Sequence, residues 1–430
     1  MTGATLGALE LPLRQDLDEP IWRRDAREAA FEWLSTHSLP TRRDEAWRYT
    51  AVDELLELSR SAVPARRPVT LDPRQVDLMA GDHGGPRLVF VNGIFASGTS
   101  RTQAEDGVTV VPFSDPASQP EMPLMGPDRL DGFAALSWAV GAGGASIRIS
   151  AHVAVEAPVH IVHVAAPELD TPLITHPNSM VHVEAGARLT LIESFVGFAG
   201  TALTNASTFV DVGDRATLDY HRIQTETAHA AHVGQARIHV GEAAHLHATS
   251  VSIGAATSRA AFDVTANGDR STVEIDGLYL PSGTDQHDHV VTVEHLGSHT
   301  ISTQRFKGVI DDRARGSFTG HVIVRPGTVD TSATQTNHSL LLTRTAESDS
   351  RPWLEILSDD VSCTHGASVG RLDDDALFYL RSRGIAEADA RRVLIDGFVS
   401  EIVESVGTAS LRDHLSARIT AKQRRTQADR

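Results

Sequence analysis

The sequence predicts a mainly β protein, a parallel β-helix from about residue 135 to 362 with helical regions at either end. The first observation is a repeat. The turns Val183-Glu184-Ala185-Gly186, Val210-Asp211-Val212-Gly213, Ile238-His239-Val240-Gly241 and Thr265-Ala266-Asn267-Gly268 set glycines 27, 28 and 27 residues apart. Leu191, Leu218, Leu246 and Val273 follow five residues after them, and a fifth turn at Gly297 fits more loosely. The second is alternation of β-forming residues through Ser146–Val164 and Thr319–Leu342. The third is the near absence of helical periodicity between the two ends. A unit of this length offers about two short strands, too few to bury an inner face alone, so units must stack. At ~4.8 Å per coil, about eight coils make a rod on the order of 40 Å long. A Greek-key sandwich is the alternative, because alternation does not separate parallel from antiparallel strands.

Residues 1–130 form an N-terminal helical and loop-rich region. Residues 1–17 read as an irregular lead-in. Trp22, Ala26, Ala30, Trp33 and Leu34 recur at three- and four-residue steps, an amphipathic helix starting near Asp18 or Glu19 and broken at Leu39-Pro40. Its two tryptophans read as core anchors. A second helix is expected around Asp53–Leu58. Pro64, Pro68 and Pro73 among arginines mark residues 61–75 as a linker. Leu88–Asn92 reads as a strand ending in a turn at Gly93. Pro112, Pro116, Pro120, Pro123 and Pro127 give residues 112–132 a loop-rich character.

Residues 363–430 read as a C-terminal helical domain. Asp373 or Asp374 caps a helix carrying Leu377, Phe378 and Leu380 and stopping at Gly384. A second helix from about Glu387 carries Ala390, Val393, Leu394, Phe398, Ile402 and Val406, with its acids early, as the helix dipole prefers. A third covers about Leu411–Ile419. The basic tail from Lys422 to Arg430 is expected to fray.

Composition narrows the function. The 430 residues carry 39 basic and 56 acidic side chains, a formal charge of −17, which argues against a nucleic-acid binder. A single cysteine rules out an internal disulfide framework, fits a reducing compartment and cannot hold a cluster by four thiolates. With no signal-like start and no apolar run approaching ~20 residues, the chain is expected to be cytoplasmic and free of the membrane. It has no Walker A sequence, G-x-S-x-G elbow, H-E-x-x-H or C-x-x-C. ATP hydrolysis therefore belongs in a partner, and the chain reads as a non-catalytic scaffold. The clusters His287-Asp288-His289 with His295 and His299, and His245 with His247, read as histidines scattered over exposed sheet faces. The pairs Asp311-Asp312 and Asp359-Asp360 read as solvated turn acids.

The remaining chemistry lies at Cys363 and His365. In the extended run Val361, Cys363, His365 a period of two places both side chains on one face. A soft thiolate and an imidazole suit iron, zinc or copper, yet two ligands leave a site unfinished without groups from another chain. The residue types alone equally describe a small buried hydrophobe and a hydrogen-bonded turn histidine.

The runs Cys363-Thr364-His365-Gly366-Ala367, Val369-Gly370-Arg371-Leu372-Asp373 and Leu377-Phe378-Tyr379-Leu380-Arg381-Ser382-Arg383-Gly384-Ile385 resemble the SufB/SufD family of the SUF iron–sulfur cluster assembly system, on its SufD side. Leu39-Pro40-Thr41, Glu45-Ala46-Trp47-Arg48-Tyr49-Thr50 and Val89-Phe90-Val91-Asn92-Gly93 extend the resemblance toward the N-terminus. It implies a right-handed β-helix core, a SufB-like partner subunit and a SufC-like ATPase. The ATPase would dock on the C-terminal helices, at region level through Leu377, Phe378, Tyr379, Leu394 and Phe398. It also implies a transient iron–sulfur cluster shared with the partner at the subunit interface, supporting iron acquisition, with His365 as ligand or iron-handling residue and Cys363 as the weaker candidate. No cofactor is expected on the isolated chain, for which a homodimer is the alternative assembly, and no flavin-binding pattern is visible. Two other classes compete: a β-helix protein that binds or degrades polysaccharide, and a homodimeric structural protein with an inert Cys363.

Overall fold

The computed structural model describes residues 20–64, 69–118, 131–141, 143–168 and 170–428. The lead-in at 1–17, the helix start at Asp18 or Glu19, Pro68, Pro120, Pro123, Pro127 and the last two residues of the basic tail lie outside them. Two ten-stranded sheets run the length of the molecule, and successive coils contribute one strand to each. Every neighbouring pair from Val159–Ala165 to Val361–Gly370 in one sheet, and from Gly144–Ile149 to Glu347–Ile356 in the other, is parallel. The fold is therefore a parallel β-solenoid of about seven turns, and the antiparallel sandwich falls away. Antiparallel pairing is confined to the N-terminal end, where Arg87–Val91 meets Ile94–Phe95 and Val108–Pro112 meets Gly144–Ile149.

The register shows how the repeat works. Leu189, Leu218, Leu246, Val273, Ser302, Ala333 and Cys363 stand in one inward column, 29, 28, 27, 29, 31 and 30 residues apart. A turn thus consumes more chain than the 27-residue estimate, which is why seven fit rather than eight. The first unit of the sequence repeat was two residues out of phase: Leu218 stacks on Leu189, not Leu191, and Val210 on Val181, not Val183. At the fourth unit Val264 rather than Thr265 stacks on Ile238, because Asn267 and Gly268 both donate their N–H to the Val240 carbonyl and the turn holds one residue more.

The repeated glycine is required for a reason other than its backbone angles. The left-handed position of successive turns falls on Gly186, Arg215, Ala243, Arg270, His299 and Asp330, with φ between 51° and 68°. Gly213 sits two residues earlier, where a Cβ would lie 2.9–3.1 Å from backbone atoms of the coil beneath. Stacking at sheet spacing leaves no room there for a side chain.

At the N-terminal end, helix α1 (Ile21–Thr36) buries Ala26, Ala30 and Leu34, while Trp22 and Trp33 are half-buried against the same cluster. Helix α2 spans Val52–Ser61, close to expectation. Two further helices occur where prolines suggested only linkers. Helix α3 (Pro73–Ala80) opens with a capping box between Asp72 and Gln75. Helix α4 (Gly132–Val140) is buried at eight of its nine positions and so shows no amphipathic period. Arg27 donates to the carbonyls of Ala139 (2.7 Å) and Gly141 (3.1 Å) and Arg23 to Gly141 (3.0 Å), so α1 caps the negative end of α4. The Glu45–Thr50 motif is a fastening onto the rod. Trp47 stacks on Phe133, with the Arg259 guanidinium 4.0 Å above its ring, and the Thr50 hydroxyl donates to Asp288.

Helix α5 (Asp374–Ser382) starts at Asp373, whose carboxylate accepts from the N–H groups of Asp375 and Ala376, and stops at Gly384 with φ 86°. Helices α6 (Glu387–Ser405) and α7 (Ala409–Ala428) lie along the outside of one sheet, with Ile395, Val399, Ile402, Leu411, Leu415 and Ile419 packed on the outward Ile192, Ile223, Val251 and Leu278. Among the described residues no helix is long and apolar enough to cross a membrane.

Candidate functional site

The C-terminal end of the solenoid is uncovered. Val361–Gly370 pairs with Thr331–Leu341 on one side and with nothing on the other, and Glu347–Ile356 likewise ends its sheet. Cys363 and His365 both lie on this last strand, and its register sets their direction. Cys363 continues the column of Leu189 and packs beside Val322, Val324 and Ala333. His365, two residues on, points the same way and is exposed. The single-face expectation therefore holds, and the pair occupies the inner face of the terminal coil.

Each member brings a distinct chemistry. Burial pushes the Cys363 thiol above its ordinary pKa, against a smaller opposing hydrogen bond with the Ala333 backbone. As a soft ligand it must first give up a tightly held proton. His365 supplies a borderline ligand free of that penalty. Among the described residues no three histidine, cysteine or carboxylate groups converge to hold a metal ion. The donor set fits a shared site and falls short of a resident metal centre.

Beneath the pair lies a polar floor that the sequence reading missed. Gln335, Asn337 and Ser339 point inward from the preceding coil and are buried. The Tyr279 hydroxyl donates to the Asn337 carbonyl oxygen (3.1 Å), and Asn337 donates to Ser350 (3.1 Å). Ser348 donates to Ser339 at 2.7 Å. The signal was present as the run Ser332-Ala333-Thr334-Gln335-Thr336-Asn337, whose inward positions turn polar where earlier coils carry leucine and isoleucine.

The histidine clusters are not where exposed sheet faces would put them. His287, His289 and His295 are buried inside the rod, and burial drives them down to about 4, 3 and 4, so they are neutral hydrogen-bonding groups. His299 is exposed beside Asp330 and His245 half-buried beside Glu274, as surface histidines. His247 differs. Burial opposes its charge, but contacts with Asp219 and Asp276 outweigh burial and raise it to about 9. Asp359 and Asp360 are exposed turn acids, whereas Asp311 is buried.

The five residues named on the C-terminal helices divide. Phe378 and Tyr379 are 73% and 56% exposed on α5, beside an exposed Val393 on α6, and form an apolar outward patch. Leu377 is buried beneath them, and Leu394 is half-buried. Phe398 is held inward: Lys307 donates to its carbonyl (2.8 Å) and lies 5.0 Å over its ring.

Residues 166–398 match the family model described as the SUF system FeS cluster assembly, SufBD core domain. The chain is 30% identical over 386 residues to the iron–sulfur cluster assembly protein SufD of Escherichia coli (strain K12), covering 89% of this chain and 88% of the relative. It is 29% identical to an iron–sulfur cluster assembly SufBD family protein of a Synechocystis strain, over 90% of this chain and 88% of the relative. Against the chloroplastic protein ABCI7 of Arabidopsis thaliana the identity is 26%, over 90% of this chain and 83% of the relative.

Proposed function

The chain belongs to the SufB/SufD family of SUF-system iron–sulfur cluster assembly proteins, on the SufD side, and from that premise we propose that it is a scaffold subunit completed by a second subunit at the open end of its solenoid. The observation that carries this reading is the terminal coil: an unpaired strand edge with Cys363 and His365 on its inner face above a buried polar floor. Unpaired edges invite β-strand addition or a cover. A SufB-like partner is the cover proposed here, and it would supply the thiolates or carboxylates that a histidine and one cysteine lack. The cluster is cargo built across that interface, with His365 as this chain's ligand and Cys363 in support. The exposed Phe378 and Tyr379 are proposed to receive a SufC-like ATPase, with Leu377, Leu394 and Phe398 shaping the surface from beneath. Relatives named as assembly proteins are consistent with a scaffold that leaves hydrolysis to that ATPase. The polysaccharide reading has no comparable support.

The test is co-expression of the chain with a SufB-like and a SufC-like protein. His365→Ala is expected to preserve folding and complex stoichiometry while lowering the iron and sulfide recovered with the complex at least several-fold. Normal cluster content in an intact complex removes His365 from the site, and failure of the three chains to co-purify removes the scaffold reading.

A further inference from the structure

The geometry points to Gln335 as a positioning residue for His365, an inference that rests on the His365 reading above. The inward column that ends in His365 runs Leu191, Tyr220, Ala248, Ile275, Gln304, Gln335, His365. It changes from mainly apolar to amide two coils before the end. Gln304 and Gln335 are both fully buried. Gln335 donates from Nε2 to Oε1 of Gln304 (3.3 Å), which fixes the sense of its amide and leaves its own Oε1 without a partner. The amide has little room to turn: a Cβ at Gly320 would lie 3.0 Å from Gln335 Nε2 and 2.7 Å from the Phe318 ring. A fixed buried acceptor thus stands directly under the imidazole in register.

A buried carbonyl oxygen left unpaired is costly, and a ligating histidine ordinarily donates its second ring N–H to such an acceptor. Once a partner covers the end of the rod, Gln335 Oε1 accepts from one ring nitrogen of His365. The lone pair of the other nitrogen then faces the partner. Gln304 anchors the amide in that sense.

The experiment uses the assembled complex, with ¹⁵N-histidine in this chain only and His365→Ala to assign the ring signals. In the wild type, His365 is expected to hold a single tautomer. Gln335→Met, close in volume but without an acceptor, should relax the ring to the tautomer mixture of a free imidazole and lower cluster content several-fold. Gln335→Glu, which keeps an acceptor oxygen, should restore the single tautomer. Should Gln335→Met fail to assemble, Gln304→Met frees the same amide and is expected to act in the same direction. Wild-type ring signals in the methionine variants overturn the proposal, since an amide pair serving only the stack would leave the imidazole unchanged. If His365→Ala keeps full cluster content while Gln335→Met still frees the ring, the contact stands and the ligand reading falls instead.

Discussion

Glu193 lies inside the rod at 1% exposure, its carboxylate accepting from Ser179 (2.9 Å), Thr208 (3.0 Å) and Tyr220 (2.5 Å). Burial pushes this carboxyl up. The His163 contact and the charge of Arg222, each 3.5 Å away, outweigh burial and hold it near 2. Glu193→Ala would leave Arg222 as an uncompensated buried cation and is expected to cost about 3–5 kcal/mol in urea unfolding. Alternation reveals that Leu189, Leu191, Glu193 and Phe195 share a face, yet the rule that calls such a face apolar has no place for a carboxylate. The same rule put Cys363 and His365 together correctly, because only their direction mattered. It was silent on Gln335, whose meaning depends on which residue lies one coil away, a relation that varies with the 27–31 residues of each turn.

Docking of α6 and α7 onto the rod is bracketed by two sets of histidines with opposite pH behaviour. His83, His160 and His414 meet where the end of α3, the strand Val159–Ala165 and α7 converge, with ring centroids 4.9 Å and 6.5 Å from His83. Burial depresses all three, His414 to about 4 from a model value of 6.5. Their contribution is complete above pH ~6.5 and is lost as pH falls toward the depressed values, because the unfolded chain then binds the protons the folded one refuses. His247, held by Asp219 and by an Asp276 that also bonds Ser405 of α6, is raised to about 9. Its contribution is complete below pH ~6.5 and is lost as pH rises through about 9. Hydrogen exchange in α6 and α7, corrected for intrinsic rates, is expected to be slowest between those limits and to accelerate on both sides. His247→Ala should abolish the alkaline limb alone. The helices themselves were readable from caps and stops at Asp373, Gly384 and Glu387. Helix α4 was not, since a segment buried all round carries no period, and α3 was masked by prolines, one of which begins it.

At the scale of the whole molecule, a stack grows in one direction and must stop somewhere. Here the N-terminal end is closed by antiparallel strands and helices, and the C-terminal end is left without a cover among the described residues. Val369 lies at that end, inward and 52% exposed. Val369→Asp is expected to change the stability of the isolated chain by less than about 0.5 kcal/mol, as at an ordinary surface site. The same change should abolish association with a SufB-like partner or a second copy, read by sedimentation velocity. The stacked form was readable because a repeat counts itself; its end was not, because no residue in a periodic run announces that it is last. Position in the count is what turns Cys363 from filler into chemistry. It occupies the slot that holds leucine three times earlier in the rod, and one more winding laid on top would seal it away with His365. A lineage that gained or lost a full winding would therefore have to move its reactive pair to the new terminus, so the length of the rod and the identity of its working residues are inherited together.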